Sequence, residues 1–129
     1  MILVDADMWI DFFSGVEPGS SVVQHLLEEK KAALSAVSVF ELLAGVTGRK
    51  RIAQIRNLVS VVPVVRFSTD EAVKAASLYT ELKAKGALVG NQDLFVAATA
   101  LQLGVNVATR NRSHFGRIPG LKIMSPTEA

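Results

Sequence analysis

No cysteine occurs anywhere in the chain, which removes disulfide frameworks, zinc–thiolate sites and cysteine nucleophiles together. Histidine is nearly as scarce, at two residues, so a metal site here must be built mainly from oxygen. Aromatic residues are only 6% of the chain, with no interleaved run on which nucleobases would stack. Long apolar runs are missing too. The most hydrophobic stretch, AALSAVSVFELLAGV from Ala32 to Val46, is too short to span a bilayer and contains Glu41. At the N-terminus there is no basic region or small-residue cleavage site, and Asp5 interrupts the apolar start. A signal peptide is therefore not expected, and a reducing, cytoplasmic setting is.

What remains is a chain of 129 residues, read as one domain over 1–129 and large enough to bury a core without staples. Half the residues are hydrophobic and mean hydropathy is +0.34, an excess that predicts pairing with a second copy or another protein. Net charge is only +2, but its distribution is uneven. Between Gly104 and Thr127 lie Arg110, Arg112, Arg117 and Lys122 with no acid, and GRKRIAQIR carries Arg49, Lys50, Arg51 and Arg56. Each cluster alone reads equally well as a solvated face; together they suit a polyanionic substrate.

Periodicity predicts alternating strands and helices. Ile2–Val4, Ala32–Ser35, the β-branched VSVVPVV, Val105–Thr109 and LKIM read as strands, with Pro63 marking the third as an edge or irregular. Helices are expected over Met8–Phe13, Val22–Lys31, from Ser38 (as cap or first residue) through Leu43, and over Arg49–Leu58. STDEAVKAASLYTELKAKG is the clearest helix, capped by Ser68 or Thr69 and stopped by Gly86; another opens at Asn91 or Asp93 and runs to Leu103. Such alternation implies an α/β fold with a parallel sheet covered on both faces. Sites in these folds lie at strand carboxyl ends, where Asp5 falls after one strand and Thr109 to Arg112 after another.

Three acids stand out. Glu41 is flanked by Val37, Ser38, Phe40, Leu42, Ala44 and Gly45, surroundings in which a carboxylate is expensive to bury without a cation or donors; otherwise it occupies a thin solvent stripe. Asp93 opens a helix with no other charge before Gly104 and serves either as a cap or as a site residue. Asp5, directly after a buried run, is the strongest site candidate. Asp7 reads as a cap in the first turn, and Asp11, four positions on, as supporting or solvated. A phosphatase of the haloacid-dehalogenase type would need a small residue where Trp9 stands, and a response-regulator receiver would need an acid where Ser68 and Thr69 stand. The arrangement left is Asp5, Glu41 and Asp93 meeting at one end of a sheet. Hard oxygen ligands suit Mg²⁺ or Mn²⁺, and without a cation the acids would raise each other's pKa values.

In order and spacing, ILVDADMWIDFF, SAVSVFELLAG, NQDLFVAATALQLG and VATRNRSHFGRIPGLKI resemble the PIN-domain ribonucleases, and most closely the VapC-type toxins of toxin–antitoxin pairs. The resemblance covers nearly the whole chain. It implies a three-layer α/β/α sandwich with a central parallel sheet, commonly dimeric. It makes Asp5, Glu41 and Asp93 the metal-binding and catalytic acids, puts Thr109 and Asn111 near their pocket, and supplies an antitoxin as partner. The implied activity is Mg²⁺-dependent hydrolysis of RNA phosphodiester bonds, with Mn²⁺ as a substitute, and Arg110, Arg112 and Arg117 beside the acids holding the backbone. Two departures matter. Many members have an acid where this chain has His114, and others have Ser, Thr or Asn at Asp7. Either Asp7 partly replaces the missing charge or His114 contacts the substrate phosphate or leaving group. The absent acid also leaves open a non-cleaving, RNA- or partner-binding module; cleavage of DNA is a weaker third reading.

Overall fold

The computed structural model describes residues 1–125; the last four residues of the expected domain, including the end of the basic stretch at Thr127, lie outside them. In chain order the elements are β1 (Ile2–Val4), α1 (Ala6–Ser14), α2 (Gly19–Glu28), β2 (Ala32–Ser35), α3 (Ala36–Gly45), α4 (Arg49–Val61), β3 (Val64–Val65), α5 (Thr69–Ala84), α6 (Asn91–Leu103), β4 (Asn106–Ala108), α7 (Arg112–Phe115) and β5 (Ile123–Met124). The five strands form a sheet of order β3-β2-β1-β4-β5, and every pairing is parallel.

Successive strand residues point to opposite faces, and two cores follow from that alternation. Leu3, Ala33 and Val107 face one core with Leu78 and Leu82 of α5, Leu94 and Ala97 of α6, and Phe115 of α7. Val4, Leu34 and Ala108 face the other, with Met8 and Trp9 of α1, Val23 and Leu26 of α2, Leu42 of α3, and Ile55 and Leu58 of α4. This is the expected three-layer α/β/α sandwich.

Several boundaries differ from the sequence reading. The β-branched run before Pro63 goes largely to α4, which continues to Val61 because Ile55 and Leu58 are buried on its inner face; only Val64–Val65 remain as strand, at the sheet edge. Ser35, not Ser38, caps α3, accepting from the Ser38 backbone N–H, while Ser38 is buried. Similarly Asp5, not Asp7, caps α1. Helix α2 starts earlier than expected, at Gly19, and ends earlier, at Glu28. Helix α7, a single turn, was not anticipated. Ser68 caps α5 through a capping box with Glu71, as its composition predicts.

Candidate active site

From β1 the chain adds β2 and then β3 on one side, and β4 and β5 on the other. Strand order therefore reverses between β1 and β4, and sites in such folds form beyond the carboxyl ends of the strands at that point. Asp5 follows β1 and Thr109 follows β4. They meet there: Thr109 Oγ1 donates to Asp5 Oδ2 at 2.9 Å, and both residues are buried. The other oxygen, Oδ1, accepts from the Ala6 backbone N–H at 2.9 Å. Asp5 is thus a helix cap and a site residue at once. Burial, followed by the charge of Asp7 and with a contribution from Asp93, pushes its carboxyl up to about 7 despite those two hydrogen bonds.

Glu41 comes from α3 and is half-buried, with its Oε1 buried and without a hydrogen-bond partner. Burial raises its pKa, and the charges of Asp93 and Asp7 raise it further. Asp7, in the first turn of α1, also has a buried oxygen without a partner, Oδ1. Burial raises its pKa too, against the lowering effect of Arg110.

Asp93 lies in the first turn of α6, whose cap position is Gly90 with no side-chain cap. Its Oδ2 turns instead to the loop after β4, accepting from Asn111 Nδ2 at 3.2 Å and meeting His114 Nδ1 at 2.7 Å. Asn111 Nδ2 also lies 2.8 Å from His114 Nδ1, so the three side chains form one cluster. Asn111 is held in turn, its backbone N–H donating to Thr109 Oγ1 at 2.9 Å. The pocket's expected members, Asp5, Asp7, Glu41, Asp93, Thr109, Asn111 and His114, are therefore linked by hydrogen bonds or by charge.

The three arginines are placed differently. Arg110 Nε binds Asp11 Oδ2 at 2.9 Å and stands 3.8 Å from Asp7 Oδ2. Arg117 donates through Nη1 to the Leu88 carbonyl at 2.9 Å. Arg112 is exposed on α7. Sequence reasoning undervalued Asp11, whose side chain is only 7% exposed; its position four residues after Asp7, on one helical face, was the available signal. Gly19 makes the space for it, since a Cβ there would fall 2.8 Å from Asp11 Oδ2.

In their present rotamers, no three His, Asp or Glu side chains among the described residues close around one point as a metal site. The donor set nevertheless fits a hard divalent cation. Its members are carboxylates, two of their oxygens are buried and unsatisfied, and burial and like charge both disfavour their ionised forms, which a cation reverses.

A PIN-domain family model matches residues 2–121. Among curated relatives, a VapC ribonuclease (Y4jK) of Sinorhizobium fredii is 31% identical, covering 99% of each chain. Ribonuclease VapC1 of Methanocaldococcus jannaschii is 27% identical, over 95% of this chain and 85% of its own. In fold, the chain matches the VapBC2 complex of Rickettsia felis bound to a promoter DNA fragment, with TM-score 0.79 and 25% identity over 97% of this chain and 98% of that one. It also matches a toxin–antitoxin complex from Klebsiella pneumoniae, with TM-score 0.80 and 25% identity over the full length of both.

Proposed function

The chain belongs to the PIN-domain family, and from that premise we propose that it is a VapC-type endoribonuclease, the toxin of a toxin–antitoxin pair, hydrolysing RNA phosphodiester bonds with a divalent cation. What carries the reading is the unsatisfied pair Glu41 Oε1 and Asp7 Oδ1, with the charge of Asp7 bearing both on Glu41 and on an Asp5 carboxyl pushed up to about 7. A pocket this costly in a folded protein is accounted for by a cation that binds it.

Asp5, Glu41 and Asp93 would hold Mg²⁺, with Mn²⁺ as a substitute, and Asp7 would partly replace the charge missing at His114, where many members of the family carry an acid. When bound, such an ion polarises the phosphate and makes hydroxide available near neutral pH. Thr109 and the Ala6 N–H fix the Asp5 carboxylate. Asn111 and His114 hold one oxygen of Asp93, leaving the other for a ligand. In this reading Arg110, Arg112 and Arg117 carry the RNA backbone past the acids. The cognate antitoxin is the protein partner. No helix among the described residues is long and apolar enough to cross a membrane, and the cytoplasm, where RNA and antitoxin are found, is the proposed location.

The test is cleavage of a panel of folded RNAs by purified protein in Mn²⁺, with Glu41→Gln as the control for contaminating nuclease. Cleavage by wild type alone supports the reading; equal cleavage by both sinks it. The open arrangement of the acids favours one second reading, a non-cleaving RNA- or partner-binding module. RNA binding with no cleavage in either protein would establish that instead.

A homodimer is part of the same proposal. Phe40, 61% exposed on α3, borders an apolar groove of ≈530 Å³ with Val37, Phe67 and Phe95, and a second copy is its proposed cover. Phe40→Asp should then yield monomer in sedimentation velocity, whereas wild type that is already monomeric overturns the dimer.

A further inference from the structure

The chain carries no acid between Glu41 and Asp70, yet holds Arg49, Lys50, Arg51, Arg56 and Arg66 there. Three of these cations meet in one place. Arg49, Lys50 and Arg51 line a cavity of ≈420 Å³ with Phe13, Thr47 and Gln54, where the end of α1 approaches the start of α4. Arg51 is half-buried and held in place. Its guanidinium lies 5.5 Å from the centroid of the Phe13 ring, and Nη2 donates to Ser14 Oγ at 3.2 Å. Its Nη1 is buried with no hydrogen-bond partner. A charged donor left in that state is costly, and an anion lodged in the cavity would satisfy it.

We infer that this cavity is a phosphate-binding site that anchors the RNA backbone a few nucleotides from the scissile bond. The inference rests on the ribonuclease reading for the identity of the polyanion. Helix α1 connects the two places: Asp5 caps its start and Phe13 stands near its end, about 12 Å further along at the usual rise per residue. A strand lying over α1 would thus meet the acids at one end and the cations at the other. A guanidinium held over a ring and by a hydroxyl presents its fork to phosphate oxygens with less further loss of freedom than a free one. Arg49 and Lys50, both exposed, add charge around it. An acidic protein segment would also find cations here, but it would leave unexplained why the cavity is aligned with the acid pocket along one helix.

The test uses full-length protein carrying Asp93→Asn, so that binding is read without cleavage. Affinity for a fluorescein-labelled RNA hairpin with single-stranded flanks is measured by anisotropy across a salt series, with and without Arg49→Gln and Lys50→Gln together. Both positions are exposed, so the melting temperature should be unchanged. The double variant should bind more weakly, and its slope of log K against log salt should fall by about 1.4, the release expected for two lost single-strand phosphate contacts. An unchanged slope overturns the site. So does a parallel titration with fluorescein-labelled polyglutamate in which the double variant loses affinity while its RNA binding is unchanged, which would assign the face to an acidic protein. If the slope falls as expected but protein with Asp93 intact cuts no RNA, the nuclease reading fails and the phosphate site stands. If that protein cuts and the slope does not move, the phosphate site fails alone.

Discussion

Thr109 Oγ1 and Asp5 Oδ2, 104 positions apart in the chain, share a 2.9 Å hydrogen bond across the point where strand order reverses. The bond works against burial, holding down a carboxyl that already titrates at about 7. Thr109→Val keeps the shape and deletes the donor. Asp5 should then titrate higher still, and the pH midpoint for Mn²⁺ binding, followed by calorimetry, should move upward. Stability should drop by about 1–3 kcal/mol, the usual cost of leaving a buried acceptor unmet. A midpoint that stays put would mean that Asp5 is not a ligand.

Asp93 gives a sharper test because capping and ligation make opposite forecasts. Asp93→Asn keeps the size and most of the hydrogen-bonding capacity, so a residue acting as a cap would lose little. A metal-binding carboxylate would lose RNA cleavage altogether while the melting temperature changed little. Cleavage at the wild-type rate would return Asp93 to a structural role. His114→Ala, which removes the 2.7 Å contact with Asp93 Oδ2, should weaken Mn²⁺ binding without abolishing it, as loss of a group that orients a ligand does.

How far the sequence revealed this site depended on the range of the signal. Asp5 and Asp93 were legible because each interrupts or opens an apolar periodic run, and Glu41 because nothing near it in sequence could neutralise it. Pairings were not legible. Nothing local says that Asp93 turns to His114 rather than to its own helix N-terminus, or that Arg110 binds Asp11, since both depend on where the loop after β4 folds. The β-branched run before Pro63 misled for a similar reason. Its residues favour strand in isolation, but the buried Ile55 and Leu58 carry the helix through to Val61. Tertiary burial outweighed local preference.

The acid pocket should set the pH dependence of folding. Asp5 is raised from 3.8 to about 7, and burial raises Glu41 and Asp7 in the same direction. Over that window the folded state holds protons that the unfolded chain has released. Stability therefore falls as pH climbs from about 3.8 to about 7 and levels off above. Denaturant titrations at several pH values, without metal, should show this decline, and Asp5→Asn should flatten it. A wild-type profile that rises across the same window would contradict the buried, mutually repelling arrangement.

A divalent cation should reverse that penalty. Binding only the folded state, Mg²⁺ or Mn²⁺ at a hundred times its dissociation constant would add about 2.7 kcal/mol, so the melting temperature should rise with metal concentration. The gain should shrink as pH drops below about 7, where protons compete for Asp5, and Glu41→Gln should reduce it. No rise at millimolar metal and neutral pH would leave the pocket without the ligand assigned to it.

The brace behind the pocket makes the last forecast. Asp11 is buried, bonded to Arg110 at 2.9 Å, and sits where Gly19 leaves room. Gly19→Ala would bring a Cβ to 2.8 Å from Asp11 Oδ2, forcing the carboxylate or the start of α2 to shift. Asp11→Ala would instead strip Arg110 of its nearer partner, leaving Asp7 at 3.8 Å; because Arg110 is 50% exposed, water recovers much of the loss and about 1 kcal/mol is expected. The two changes share one contact, so they should not add. With Asp11 already truncated, the 2.8 Å clash with its carboxylate is gone and only the 3.1 Å contact with the Cβ at position 11 remains, so Gly19→Ala should cost less than it does in the wild type. Denaturant midpoints of the two single variants and the double variant decide the matter. Full additivity would mean that Gly19 is small for some reason other than Asp11, and that the placement of Arg110 beside the acids does not depend on this brace.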